Sequence, residues 1–178
     1  MKVNRVRAFA IASLVILVLV SGGYLFRFYQ AEKVKPPAVK KLENLFQVKM
    51  SLDKGNWHYI PSVSEVGLDQ TYFEVVYWEA VDKHRFRVCY PIGIDIKEVS
   101  YDLSPIREFL ETVSADNDIN AQIMSKAEAR AEACRKSNGF DKGVPEELET
   151  KDYKVTVFSS DFINDLVTLD FERISEGG

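Results

Sequence analysis

An α+β domain carried behind a single transmembrane helix is the fold class this sequence predicts, and three observations carry it. Residues 8–26 run without one charge. Two pairs of alternating, aromatic-rich runs follow, each pair split by turn residues, and an alanine-rich stretch of helical period then precedes two more alternating runs. Together they predict one N-terminal transmembrane helix, then a mainly antiparallel sheet of about six strands with two helices packed on one side.

The apolar run opens after the basic tail of residues 1–7, which holds Lys2, Arg5 and Arg7. A helix of that length just crosses a hydrocarbon core of roughly 30 Å. Tyr24, Phe26, Phe28 and Tyr29, with Arg27 among them, resemble an interfacial belt. A retained span over residues 8–29 is therefore expected, with the lipid bilayer as its first partner. The alternative is a signal peptide cleaved near Gly22 or Gly23, whose apolar core would be unusually long. The short basic tail resists translocation, so the N-terminus is expected in the cytoplasm and the rest of the chain outside it, periplasmic in a Gram-negative cell.

Composition changes after the span. Residues 1–37 carry six basic residues and only Glu32, whereas residues 38–178 carry 17 Lys plus Arg against 26 Asp plus Glu. Nucleic acid is excluded as a partner, because neutralising phosphates needs a basic face. Residues 30–43 read as a stalk kept extended by Pro36-Pro37, and residues 44–178 as one extracytoplasmic domain.

The domain's elements follow in order. Phe46 to Leu52 alternates apolar with polar, Asp53-Lys54-Gly55-Asn56 supplies turn chemistry, and Trp57 to Val63 returns, with Leu52 opposite Trp57 and Phe46 opposite Val63. Thr71 to Val81 and Arg85 to Ile94 form the central hairpin. An even-length loop there sets Phe73, Val75 and Tyr77 beside Phe86 and Val88, and Tyr72, Val76 and Trp78 beside Arg85, Arg87 and Cys89. Both faces of that hairpin carry apolar bulk, so the helices are expected on the second, with Trp78 opposite Arg87 as a cation-π pair.

Ser104-Pro105 starts a short helix to about Val113, and a longer one follows Asp116-Asn117-Asp118, buries Ile119, Ile123, Ala127, Ala131 and Cys134, and stops at Asn138-Gly139. Glu146-Glu147-Leu148-Glu149 after Pro145 reads as the first turn of a helix, and Tyr153 to Ser159 and Leu166 to Arg173 as the last strands.

Chemistry is sparse. The two histidines, His58 and His84, have no partner at metal-ligand spacing, and HExxH, CxxC and glycine-rich phosphate loops are absent. Asp116-Asn117-Asp118-Ile119-Asn120 begins like a calcium loop, but Ala121 replaces the required glycine and Ala127 the bidentate glutamate. His84 and Cys89 point to opposite faces of one strand, which argues against a thiol nucleophile. No catalytic residue, metal ligand or cofactor is assigned, and an enzyme is not expected.

Two bets remain on named residues. Packing the long helix on the second face of the hairpin would bring Cys89 and Cys134 together, and in an oxidising compartment they would bond. Trp57, Tyr59, Tyr72 and Trp78, wherever exposed, would form a contact patch. The function expected is a protein-interaction or assembly module of the cell envelope, with other envelope proteins as partners. The alternative is a tethered module binding a small molecule or peptide in an aromatic-lined cleft.

Overall fold

A seven-stranded, wholly antiparallel sheet in the order β1-β2-β3-β4-β7-β6-β5 organises the chain. The structure is a computed structural model that describes residues 35–61, 71–139, 143–160 and 164–174. The strands are β1 (Ser51–Asp53), β2 (Asn56–Tyr59), β3 (Tyr72–Trp78), β4 (Lys83–Cys89), β5 (Glu146–Glu149), β6 (Tyr153–Phe158) and β7 (Asp165–Arg173). The helices are α1 (Pro37–Phe46), α2 (Ser104–Val113) and α3 (Asn117–Lys136). By contact the chain divides into two units, Met1–Lys40 and Lys41–Gly178, and the sheet belongs to the second.

This corrects the expected fold class of one transmembrane helix, about six strands and two helices: among the described residues there are seven strands and three helices. No helix among the described residues is long and apolar enough to cross a membrane. The span expected over residues 8–29 lies outside those residues.

Two segments take a different form from the one their local pattern predicts. Phe46 ends a helix instead of opening a strand: Gln47 turns left-handed at φ 53°, and Val48 N–H then donates to the Glu43 carbonyl at 3.0 Å. That closure is a helix stop. The Glu43 carboxylate also accepts from Met50 N–H at 2.7 Å, and Phe46 stacks on Phe86 at 4.9 Å, so its apolar bulk is spent on the core before the strand begins. Helix α1 likewise starts at Pro37, where an extended stalk is predicted; proline suits a first helical turn because no donor is needed there.

Glu146–Glu149 is the second, an edge strand paired to β6 through Leu148↔Val155. Its acids find cations on both sides: Glu146 meets Lys126 and Arg130 of α3, and Glu147 meets Lys154 at 2.9 Å. Those ion pairs hold an acidic segment in extended form.

The central hairpin keeps its predicted pairings and the first keeps Leu52 opposite Trp57, but the predicted pair of Phe46 with Val63 does not form, since Phe46 is helical, and Val63 lies outside the described residues. Leu52 lies opposite Trp57 across a two-residue turn in which Lys54 and Gly55 are both left-handed, at φ 48° and 82°, the arrangement that suits strand twist. In the central hairpin Phe73 pairs with Val88, Val75 with Phe86 and Val76 with Arg85, and the chain turns through Glu79–Val81 and a left-handed Asp82.

One face of the sheet forms the core. Tyr77, His84, Phe171 and Val155 lie in one row across β3, β4, β7 and β6, with Val75, Phe86, Leu169 and Val157 in the next. All eight are buried. Onto that face α2 brings Ile106, Phe109 and Leu110, and α3 brings Ile123, Met124, Ala127, Ala131 and Cys134. Phe109 meets Phe86 at 4.7 Å and Phe171 at 5.1 Å, edge to face. The helices therefore cover the Phe86 side of the hairpin and not the predicted Cys89 side.

Side chains cap both helices. Asp102, rather than Ser104, starts α2 by accepting from Ser104 N–H at 2.8 Å. Asp116 accepts from the N–H groups of Asp118 and Ile119 at 3.1 and 3.0 Å, which explains the acids of the calcium-like segment as helix capping. Replacing Asp116 with alanine is expected to cost about 1 kcal/mol of stability, read as a lower urea midpoint; an unchanged midpoint would show that the cap contributes nothing.

Candidate interaction surface

The other face of the sheet carries no helix among the described residues, and alternation dictates what stands on it. On β4 the residues are Lys83, Arg85 and Arg87, and on β7 Thr168, Asp170 and Glu172. On β6 they are Lys154, Thr156 and Phe158, and on β5 Glu147 and Glu149. Glu74, Val76 and Trp78 complete the face from β3. Neighbouring strands thus alternate in sign from β4 to β5.

Cross-strand ion pairs tie these stripes together. Arg85 donates twice to Asp170, at 2.6 and 2.7 Å, in a two-pronged contact. Lys83 reaches Asp170 at 3.4 Å and Glu172 at 3.2 Å, and Arg87 donates to Glu74 at 2.5 Å. The guanidinium of Arg85 also lies 5.4 Å from the Trp78 ring centroid and 5.8 Å from that of Phe158. It is held between two aromatic faces, a cation-π arrangement. The hydrogen bonds that Arg85 donates to Asp170 raise its pKa further, so its charge is permanent. Arg, Trp and Tyr are the residue types that dominate protein contacts, and a side chain already fixed loses little freedom on docking.

At one end of this face the polar groups turn inward. Asp165, opposite Cys89 at a bulge in the β4–β7 ladder, accepts from Ser160 N–H at 2.7 Å and from the Thr168 hydroxyl at 2.8 Å. Burial raises its pKa despite those bonds. Burial pushes the Cys89 thiol well above its ordinary value, so the thiolate needed for nucleophilic attack is not populated.

The predicted site residues do not converge. Trp57 is buried in the core row beside Tyr77, and the half-buried Tyr59 pairs with Val75 on the same, helix-covered side. Tyr72 and Trp78 stand on the opposite face at the two ends of β3. Tyr72 accepts from the Asn164 amide at 2.7 Å, and Trp78 lies opposite Lys83 and under Arg85, not against Arg87. Cys89 and Cys134 are both buried as unbridged thiols. Cys89 lies opposite Tyr72, while Cys134 on α3 donates to the Asp165 carbonyl at 3.3 Å; the helix that carries one thiol packs on the face that the other leaves.

His84 is a buried core residue of β4. Its ring stacks on Tyr77 at 4.7 Å and touches Phe109 and Tyr153. Its Nε2 lies 3.4 Å from Asp82, whose carboxylate also accepts from Tyr153 at 3.2 Å and Arg173 at 2.9 Å. Burial drives the imidazole down to about 4, against the pull of Asp82. This is a structural knot, because no nucleophile touches it among the described residues. His58 stays half-buried on β2, with Nε2 3.4 Å from the Ser51 hydroxyl.

Concavities offer little. Two open hollows of about 440 Å³ each are lined mainly by polar and charged residues, one by Glu43, Lys49 and Tyr59 among others, the second by Tyr101, Arg107 and Glu128. Neither has the apolar, aromatic lining predicted for a ligand cleft. Among the described residues no group of three or more His, Cys, Asp and Glu side chains is placed to hold a metal.

Of the charged members of the open face the sequence placed only Arg85 and Arg87 beside Trp78, with Arg87 as its cation-π partner, although a signal for the others existed. Lys83-His-Arg85-Phe-Arg87 and Thr168-Leu-Asp170-Phe-Glu172 each alternate polar with buried residues, and opposite signs at that period mark partners on adjacent strands. Comparison with protein-family models, with curated proteins and with solved structures yields no match.

Proposed function

We propose that this chain is a single-pass envelope protein, held to the bilayer by residues 8–29, whose acidic extracytoplasmic domain docks other proteins through the open face of its sheet. The observation that supports this is the Arg85 cluster: a permanent cation fixed between Trp78 and Phe158 on a face that carries no helix among the described residues. Such a surface is suited to binding and needs no catalytic group. The polar hollows favour this reading over a ligand cleft.

Photo-crosslinking in native membranes tests it, with a light-activated phenylalanine analogue placed at position 78 or 158 of the full chain and, as control, at the exposed Glu111 of α2. Discrete protein adducts from positions 78 and 158, absent from 111, are expected. Absence of adducts from the sheet face, or equal labelling from 111, would overturn it. Topology is read separately: alkaline phosphatase fused after Gly178 is expected to be active, and an inactive fusion would overturn the exported orientation.

A further inference from the structure

We infer that the protein docked on the open face is a second copy of this chain, its sheet packed face to face with the first about a twofold axis parallel to the strands. The inference rests on the docking role proposed above and names its partner. The alternating stripes carry it: β4 is basic, β7 acidic, β6 basic with Lys154, and β5 acidic with Glu147 and Glu149.

Consider an axis that runs between β7 and β6. It keeps each row of the sheet over itself and exchanges β7 with β6 and β4 with β5, because those pairs lie at equal distances on either side. One row reads Lys83, Glu172, Lys154, Glu149 across the four strands. After the rotation Lys83 lies over Glu149 of the other copy, and Glu172 over Lys154. In the next row Arg85 lies over Glu147. Every charge in the two rows meets the opposite sign or, for Asp170, the hydroxyl of Thr156. Moving the axis by half a strand spacing, onto β7, would set β7 over β7 and β4 over β6, like sign on like; moving it a full spacing, to between β4 and β7, would oppose those two stripes but leave Lys154 over Trp78 of β3, so only the axis between β7 and β6 pairs all four charged stripes. Isologous contacts require this kind of self-complementarity, and aligned sheets pack about 10 Å apart.

Full-length protein in membranes provides the test, using Thr156→Cys beside the axis and a bis-maleimide of about 10 Å span, matched to facing sheets. The native thiols are buried and do not compete. A covalent dimer is expected from T156C and none from Glu111→Cys on α2. Adding Glu147→Lys and Glu149→Lys, both exposed positions, is expected to lower the T156C dimer at least tenfold while circular dichroism stays unchanged.

A T156C dimer indifferent to those reversals would overturn the register, and an equally strong E111C dimer would overturn the face. No T156C dimer, together with adducts of a different protein from position 78 or 158, would overturn the second copy and leave the docking role standing. No dimer and no adduct would overturn both.

Discussion

Replacing Phe86 with alanine is expected to destabilise the domain by about 3–5 kcal/mol, the range for emptying a fully buried phenylalanine site. Phe86 has no exposed surface. It is the point where three elements meet: Phe46 of α1 stacks on it at 4.9 Å, Phe109 of α2 meets it at 4.7 Å, and Phe171 of β7 at 5.5 Å. None of these rings can follow a retreating methylene, since each is fixed by another, as Phe109 is by Phe171 at 5.1 Å. Against a typical stability of about 5–15 kcal/mol the loss is severe. Urea denaturation measures it, and a loss below about 1 kcal/mol would show that the site collapses instead of leaving a cavity.

The second large effect is a dependence on acid. His84 is kept neutral in the folded state, burial holding its pKa at about 4 against an ordinary value of 6.5. The unfolded chain therefore binds a proton more readily, and stability rises with pH across that window. The contribution is fully present above pH 6.5 and is lost as the pH falls toward 4, about 3 kcal/mol in all. Asp82 behaves differently: burial raises its pKa, but the bond from Arg173, the His84 charge and the Tyr153 hydroxyl outweigh that and hold it below 3.8, so its loss comes at lower pH. His84→Phe keeps a ring against Tyr77 and removes the proton site, so it should flatten stability between pH 6.5 and 4. A variant as acid-sensitive as the parent would place the titrating group elsewhere.

Alternation was the most legible property of this chain, and it came with register. The register of the central hairpin followed from assuming an even loop, although the turn lies at Glu79–Asp82 and not at the expected residues 82–84, because period-two patterns on both strands admit one pairing that keeps Val75 beside Phe86. Helices α2 and α3 were legible through proline, capping acids and the Asn138-Gly139 stop. What misled was the choice of face. Val76 and Trp78 of β3 and Cys89 of β4 look like a second apolar surface, yet Arg85 and Arg87 share that face on β4; the carboxylate partner of Arg87 is Glu74 of β3, while that of Arg85 lies on β7, more than eighty residues away. Such partners cannot be read locally.

Short segments were ambiguous for a related reason. Phe46 fits a strand with Val48 and a helix with Leu42 equally well, and only its stack on Phe86 decides between them. Glu146–Glu149 has weak intrinsic preference, and the cations of α3 and β6 fix it as extended. The candidate surface was half visible: Trp78 and Arg85 were placed on it, but Phe158 and Asp170, which complete the setting around Arg85, come from strands read separately.

The two borders of the sheet are not equally defended. On one side a row of carboxylates lines the outermost strand, and an incoming chain that tried to add there would set its own backbone against like charge or pull Glu146 from α3. The opposite border is only three residues long, and Leu52 is 57% exposed on it with Ile60 nearby at 59%. Unwanted fibre growth, if it starts anywhere on the folded protein, should start from that shorter rim, and a lysine at position 52 is the change that would guard it.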